Sequence, residues 1–306
     1  MAYVSGSAVS LYDVIEKMDE TLVNLGWVQH MRYTTQYDGN TRLYHCIWEG
    51  NGDGNEKIYI QARVDTKNHK KMYLDACAGY DEELWYWEQP GSIQQWQKKP
   101  DAETSVKQPA FTVTLNEQFA YWIFADTYRI IVVCRMSIVY ESFYMGFITP
   151  IASERQYPYP MYVAGNTVAT GGIWPNNIQG SFVYPDEGSG FIRRADGTWR
   201  EMDFPYDTMP YNTGGTVFPY NAKNEQLIPN YTEKTIIVQN NFLLIPVLIQ
   251  TNNPIDVCGV LRNVYWVSGT RDIDAERILV MNNEQYMVFD TKDKRGHNSY
   301  FVIKME

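Results

Sequence analysis

Asp81-Glu82-Glu83 followed by Trp85-Tyr86-Trp87-Glu88 is the stretch whose residue types come nearest to chemistry. Carboxylates beside aromatic rings are what glycoside cleavage uses, one acid protonating the leaving oxygen while a second carboxylate acts across the sugar ring. Glu82, Glu83 or Glu88 would be that acid, with Trp85, Trp87 and Trp96 as stacking platforms. Catalysis depends on the separation of the carboxyl groups in space, which adjacency along the chain does not establish, and clustered Trp and Tyr mark protein interfaces at least as often. Packing or interface use therefore ranks ahead of sugar binding, and sugar binding ahead of catalysis.

Other candidate motifs fail on spacing. Asn51-x-Asp53-x-Asn55 puts oxygens at the first, third and fifth positions of a calcium loop, but Glu56 stands where that loop needs glycine and no glutamate closes it, so a glycine-rich hairpin turn is the better reading. His45-Cys46 pairs two metal-binding residue types, yet neighbours on a strand face opposite sides, which leaves Cys46 to the core. Cys77, Cys134 and Cys258 are scattered without a C-x-x-C spacing and read, with Cys46, as small buried hydrophobes in a reducing compartment. The chain has no G-x-S-x-G elbow, Walker A loop, H-E-x-x-H or G-x-G-x-x-G stretch. No catalytic, cofactor or metal residue is assigned. Tyr157-Pro158-Tyr159-Pro160-Met161-Tyr162 offers flat rings on a backbone stiffened by proline. It suits docking and equally an internal strap over a core edge. Tyr86 and Trp174 complete the interface or stacking candidates.

The elements that must position these residues begin with a helix near residues 11 to 25, where Leu11, Val14, Ile15, Met18, Leu22 and Leu25 recur at helical spacing. Ser10 with Asp13 forms a capping pattern, and Gly26 stands where a left-handed residue ends a helix. Strand-like runs follow at Leu43–Trp48, Lys57–Val64, Met72–Ala78 and Tyr128–Ile138. Ile130-Ile131-Val132-Val133 is too uniformly apolar for a half-exposed strand and points to the centre of a core. Beyond Pro150 prolines and glycines accumulate up to Tyr231, predicting ordered loops that serve function or interfaces. Strands are predicted again at Lys234–Gln239, Asn241–Ile249 and Gly259–Val267. Arg277–Met281 should form a hairpin with Tyr286–Phe289 across Asn282-Asn283, and Tyr300–Lys304 a closing strand. No period repeats. The expectation is an α+β, predominantly β protein: residues 1–150 an N-terminal helix plus antiparallel sheet, residues 151–306 a loop-rich, sandwich or barrel-like β half.

Composition bounds the function. The 306 residues are 44% hydrophobic and include 45 aromatic side chains, enough to bury a sizeable core. Twenty-six Lys and Arg against 36 Asp and Glu give a net charge of −10, which argues against a nucleic-acid partner held by phosphate contacts. No apolar run approaches the 18 to 20 or so residues that span a bilayer, and Met1–Leu11 lacks the features of an export signal, so synthesis in a cytoplasm is expected.

Tyr121-Trp122-Ile123-Phe124 through Arg129–Val133, Tyr140 to Gly146-Phe147, Tyr157–Pro160, and Gly259-Val260 to Trp266–Gly269 resemble structural proteins encoded among the virion genes of tailed bacteriophages. Ala275-Glu276 to Tyr286–Phe289, Arg295-Gly296 to Phe301, and the Leu11 to Trp27 pattern add to the resemblance. It implies a non-enzymatic particle component of the tail, baseplate or neck, or of the capsid surface, working in the virion without a cofactor. Implied partners are further copies in a homo-oligomer and other virion proteins, with a host surface glycan for the alternative, carbohydrate-binding reading.

Overall fold

A computed structural model describes residues 1–53, 56–67, 69–94, 107–113, 117–151, 159–168, 181–185, 188–202, 215–220, 243–252, 255–267, 273–291 and 300–305. The described elements run β1 (Ala2–Ala8), α1 (Leu11–Asn24), β2 (Val28–Tyr37), β3 (Asn40–Asp53), β4 (Glu56–Val64), β5 (Lys71–Cys77), β6 (Pro109–Thr112), β7 (Phe119–Ala125), β8 (Arg129–Met136) and β9 (Val139–Phe147). They continue with β10 (Met161–Ala164), β11 (Thr167–Val168), β12 (Gly190–Arg193), β13 (Trp199–Glu201), β14 (Gly215–Phe218), β15 (Leu244–Asn252), β16 (Ile255–Val267), β17 (Ile278–Met281), β18 (Glu284–Asp290) and β19 (Tyr300–Lys304).

The strands form three sheets. A central sheet has the order β1-β7-β8-β9-β10-β12-β13, a front sheet β11-β6-β5-β4-β3-β2, and a back sheet β14-β15-β16-β19-β18-β17. Side chains alternate across the central sheet. Tyr121, Ile123, Ile130 and Val132 join one cluster with α1 and the inner face of the front sheet. Trp122, Phe124, Ile131 and Val133 join another with the back sheet. Both faces of β8 are therefore dry, and alternation of side chains in a strand with no solvent side yields an unbroken apolar run. The protein is α+β and predominantly β, as its sequence patterns imply, and its sheets are stacked and open rather than closed into a barrel.

Helix α1 lies where its apolar spacing predicts. Ser10 accepts from Asp13 N at 3.4 Å while Asp13 Oδ2 accepts from Ser10 N at 2.9 Å, and Gly26 takes φ +85° after the last turn. Arg42 of β3 then pairs with Asp13 and Glu16, fastening the polar side of the helix to the front sheet. The Asn282-Asn283 hairpin is also present, both residues having positive φ as a tight turn of this hand requires. Gly146 faces Arg129 across β8 and β9, and a Cβ there would lie 2.5 Å from the Arg129 Cα, so only glycine fits.

A boundary at residue 150 is not where the chain changes layer. Strand β10 pairs with β9, and β12 and β13 extend the same central sheet, so its ladder runs across that point. Glu56 of β4 accepts from Tyr159 N and pairs with Arg193 of β12 at 2.7 Å, both side chains being nearly fully buried. The back sheet begins only at β14. The expected strand at Lys234–Gln239 and most of the proline-rich span lie outside the described residues.

The two-sided burial of β8 predicts that Ile130→Ala and Ile131→Ala each destabilise by about 2–5 kcal/mol, though they point to opposite faces. Urea unfolding of both variants checks this, and a negligible loss for either would mean that its face is not packed.

Candidate functional site

The front sheet presents its inner face to the core and carries a polar grid on the other. Along β4, Ile58, Ile60, Ala62 and Val64 point inward, while Tyr59, Gln61 and Arg63 point outward. On β5, Met72, Leu74 and Ala76 point inward and Tyr73, Asp75 and Cys77 outward. Register places His45, Arg63 and Tyr73 in one row and Ile47, Gln61 and Asp75 in the next. His45, Ile47, Gln61, Asp75 and Cys77 are nonetheless buried, because the chain from Ala78 to Gly91 folds back over this outer face.

That segment is a compact loop whose ends meet, with Ala78 N donating to Pro90 O at 2.8 Å. The buried amide of Gln89 organises its interior: Oε1 accepts from Asp81 N at 2.9 Å, and Nε2 donates to Asp81 O at 2.9 Å and Leu84 O at 3.0 Å. Asp75 anchors the returning chain through Oδ1, which accepts from Ile93 N at 3.0 Å and from Ala76 N at 2.8 Å. Trp199 Nε1 donates to Gly91 O at 2.8 Å from the central sheet. At the loop's start the Tyr80 ring stacks on His30 at 4.2 Å, and His30 in turn meets Glu49 at 2.8 Å.

The aromatic triplet is divided by this anchoring. Trp85 is 58% exposed and lies parallel to Trp87, with centroids 5.2 Å apart and planes 4° from parallel. Tyr86 turns the opposite way, into the sheet. Its ring meets His45 edge-on at 4.7 Å and covers the Arg63 guanidinium at 4.9 Å, and its carbonyl accepts from Gln61 Nε2 at 3.1 Å. Tyr73 holds the guanidinium as well, at 4.2 Å. Burial, together with the Arg63 charge, lowers the His45 pKa to about 4, although contact with Gln61 opposes the shift. Burial also raises Asp75 to about 7 against the opposing effect of its hydrogen bonds.

The carboxylates of the same loop stay outside. Asp81, Glu82 and Glu83 are exposed, and Asp81 Oδ1 is used to accept from Glu83 N at 3.0 Å, fixing a turn. Of the other interface candidates, Tyr159 and Tyr162 prove to be core residues, which corrects their reading as docking surface. Tyr162 is fully buried with its hydroxyl donating to Phe182 O at 2.6 Å, and Tyr159 accepts from Arg262 while its ring packs on Phe147 at 4.9 Å. Tyr162 is not on a strap over a core edge either, because its backbone is hydrogen-bonded into the interior of the central sheet between β9 and β12. Trp96, Tyr157 and Trp174 lie outside the described residues.

Elsewhere, a cleft of about 510 Å³ opens between the central and back sheets beside Tyr128, Arg262, Asn263 and Lys304. Arg262 lies 3.9 Å over the Tyr128 ring and donates to Tyr159, so its charge joins the two layers. Among the described residues no three His, Cys, Asp or Glu side chains converge as a metal site, and all four cysteines are buried thiols. Gln61, Arg63, Asp75 and Gln89 were not among the candidates drawn from the sequence. The period-two alternation of β4 and β5 carries their signal, since it marks Gln61, Arg63 and Asp75 as sharing one face.

No protein-family model matches the chain, and comparison with curated proteins finds no significant relative. No helix among the described residues is long and apolar enough to cross a membrane.

Asp75 makes the anchoring of the loop sensitive to pH. Its folded pKa of about 7 exceeds the ordinary carboxyl value of about 4, so its stabilising contribution is complete below about pH 4 and is lost as pH rises through 7. Asp75→Asn keeps an acceptor for Ile93 N and cannot ionise. The variant should gain on the wild type by a few kcal/mol between pH 4 and 8, measured as the difference in unfolding free energy. A difference independent of pH would show that Asp75 is already ionised throughout that range.

Proposed function

We propose that the chain is a non-enzymatic structural component of a tailed-phage particle, assembling in the tail, baseplate or neck through contacts made by its aromatic loop. One observation carries this reading: Trp85 stands exposed on Trp87 while the loop beneath it is held together by Gln89 and fastened to the front sheet through Tyr86 and Asp75. A flat apolar ring held on a rigid support loses little conformational entropy on burial, which is the property of aromatic anchors at protein interfaces. The resemblance to virion proteins supplies the setting, with partners that are other virion proteins and further copies of this chain. The acidic balance of the chain suits a subunit that stays dispersed before assembly.

A second reading rests on the surroundings of that ring. Exposed Asp81, Glu82 and Glu83 stand on the same loop as Trp85, and acceptors beside an indole face suit the hydroxyls of a sugar on a host surface. Light scattering of the purified chain and cross-linking within purified particles test the structural reading. Trp85→Ala should weaken subunit association by about thirtyfold or more, the scale of a hot-spot residue, with the fold intact. Absence of the protein from particles would end the structural reading, and glycan-array binding lost in Trp85→Ala would favour the second.

A further inference from the structure

The rows of polar side chains under the aromatic loop contain two buried groups for which the loop offers no hydrogen-bond partner. Among the described residues neither His45 Nδ1 nor Arg63 Nε has one. His45 is 1% exposed, and register sets it directly beside Arg63 on the neighbouring strand. What covers both is the Tyr86 ring, edge to the imidazole and face to the guanidinium, neither of which accepts a hydrogen bond as an oxygen does. Leaving buried polar groups unpaired costs on the order of a lost hydrogen bond each. An arrangement that pairs both would be better satisfied than the closed one.

A carboxylate has the complementary chemistry. Its two oxygens can accept from an Arg63 N–H and from a protonated His45 Nδ1–H together, and a cation already adjacent supplies charge complementarity. Displacing the Tyr86 ring leaves the loop itself intact, because Gln89 organises it from within and its ends meet at Ala78 and Pro90. Gln61 joins Tyr86 O to the floor through one hydrogen bond, and its Oε1 lies 3.4 Å from His45 Nε2. The loop's own rim discriminates between sources of the carboxylate. The negative charge of exposed Asp81, Glu82 and Glu83 on the same loop disfavours a run of acidic side chains, whereas a sugar that brings a single carboxylate would meet less repulsion and could donate its hydroxyls to them.

We propose that the floor formed by His45 and Arg63 is a binding site for the carboxylate of a uronic-acid sugar, reached when the Tyr86 ring is displaced, with Trp85 as the neighbouring platform. The site deepens the second, glycan-binding reading above and rests on it. Binding takes up a proton at His45. The groups facing that imidazole are Arg63 on β4, Tyr33 on β2, Tyr44 on β3 and Tyr86 on the loop, with Gln61 as its neutral neighbour. Arg63 opposes protonation until a carboxylate arrives, so affinity should rise as pH falls while the sugar itself remains ionised.

D-Glucuronate and D-glucose, titrated separately into the full chain at pH 5 and pH 8 with tryptophan fluorescence as readout, provide the test. Glucuronate should bind about tenfold tighter at pH 5 than at pH 8, and glucose should show no such dependence. Arg63→Gln should remove the preference for glucuronate, His45→Gln should flatten the pH profile, and Tyr86→Leu should tighten binding by removing the cover. Circular dichroism and the melting temperature establish that each variant is folded. Where Arg63→Gln is unfolded, a rise of the His45 imidazole pKa on adding glucuronate, followed by NMR in the wild type, replaces it. Equal binding of both sugars would retain Trp85 as a glycan platform and overturn the carboxylate site. Binding of neither sugar, or an unmoved His45 pKa at saturating glucuronate, would overturn it too, the first result also removing support from the glycan-binding reading while leaving particle assembly to its own test.

Discussion

Burial of the central sheet on both faces is the constraint from which the rest of the structure follows. Ile130, Ile131, Val132 and Val133 are all fully buried, two toward the helix and front sheet and two toward the back sheet. At about 25 cal/mol per Å² of apolar surface removed from water, such a strand holds its neighbours on two sides at once. Polar groups within this layer have no solvent to turn to. Glu141 is fully buried and accepts from Asn166 Nδ2 at 2.8 Å, and the Asn166 amide also exchanges hydrogen bonds with Thr112 N and O at 2.9 Å. That amide acts as a one-residue strand partner, joining the front sheet to the central one.

A second consequence is that only the outer sheets have faces left for anything else. On the front sheet that face is a grid of rings, amides and charges too polar to serve as core and too enclosed to be solvated. The loop from Ala78 to Gly91 closes it with aromatic rings, and in doing so sends Trp85 outward. Exposure of one tryptophan and burial of the tyrosine next to it thus have a common origin. Consecutive side chains in the segment point apart, and the inward one fills the space above His45 and Arg63.

Much of the framework was legible in the sequence. The capped helix, the Asn282-Asn283 hairpin and the interior position of the β8 run follow from local spacing and turn chemistry, and each stands where it was expected. The aromatic loop was legible as a cluster but not as two opposed surfaces. The prolines flanking Tyr159 signalled stiffness without direction, so docking and internal packing stayed equal until the tertiary structure buried both Tyr159 and Tyr162. The change of composition after Pro150 likewise does not mark the end of a layer, since β10, β12 and β13 extend the central sheet beyond it.

The difference is one of range. Helix caps, turns and the period of apolar residues are settled by groups a few positions apart, and the sequence by itself determined them. Which face of a strand meets a second layer, and which ring of Trp85-Tyr86-Trp87 is covered, depend on contacts such as Tyr86 with His45 and Glu56 with Arg193, far apart along the chain. Only the tertiary structure decided those, because the energy of burying a side chain is set by what lies across from it in space.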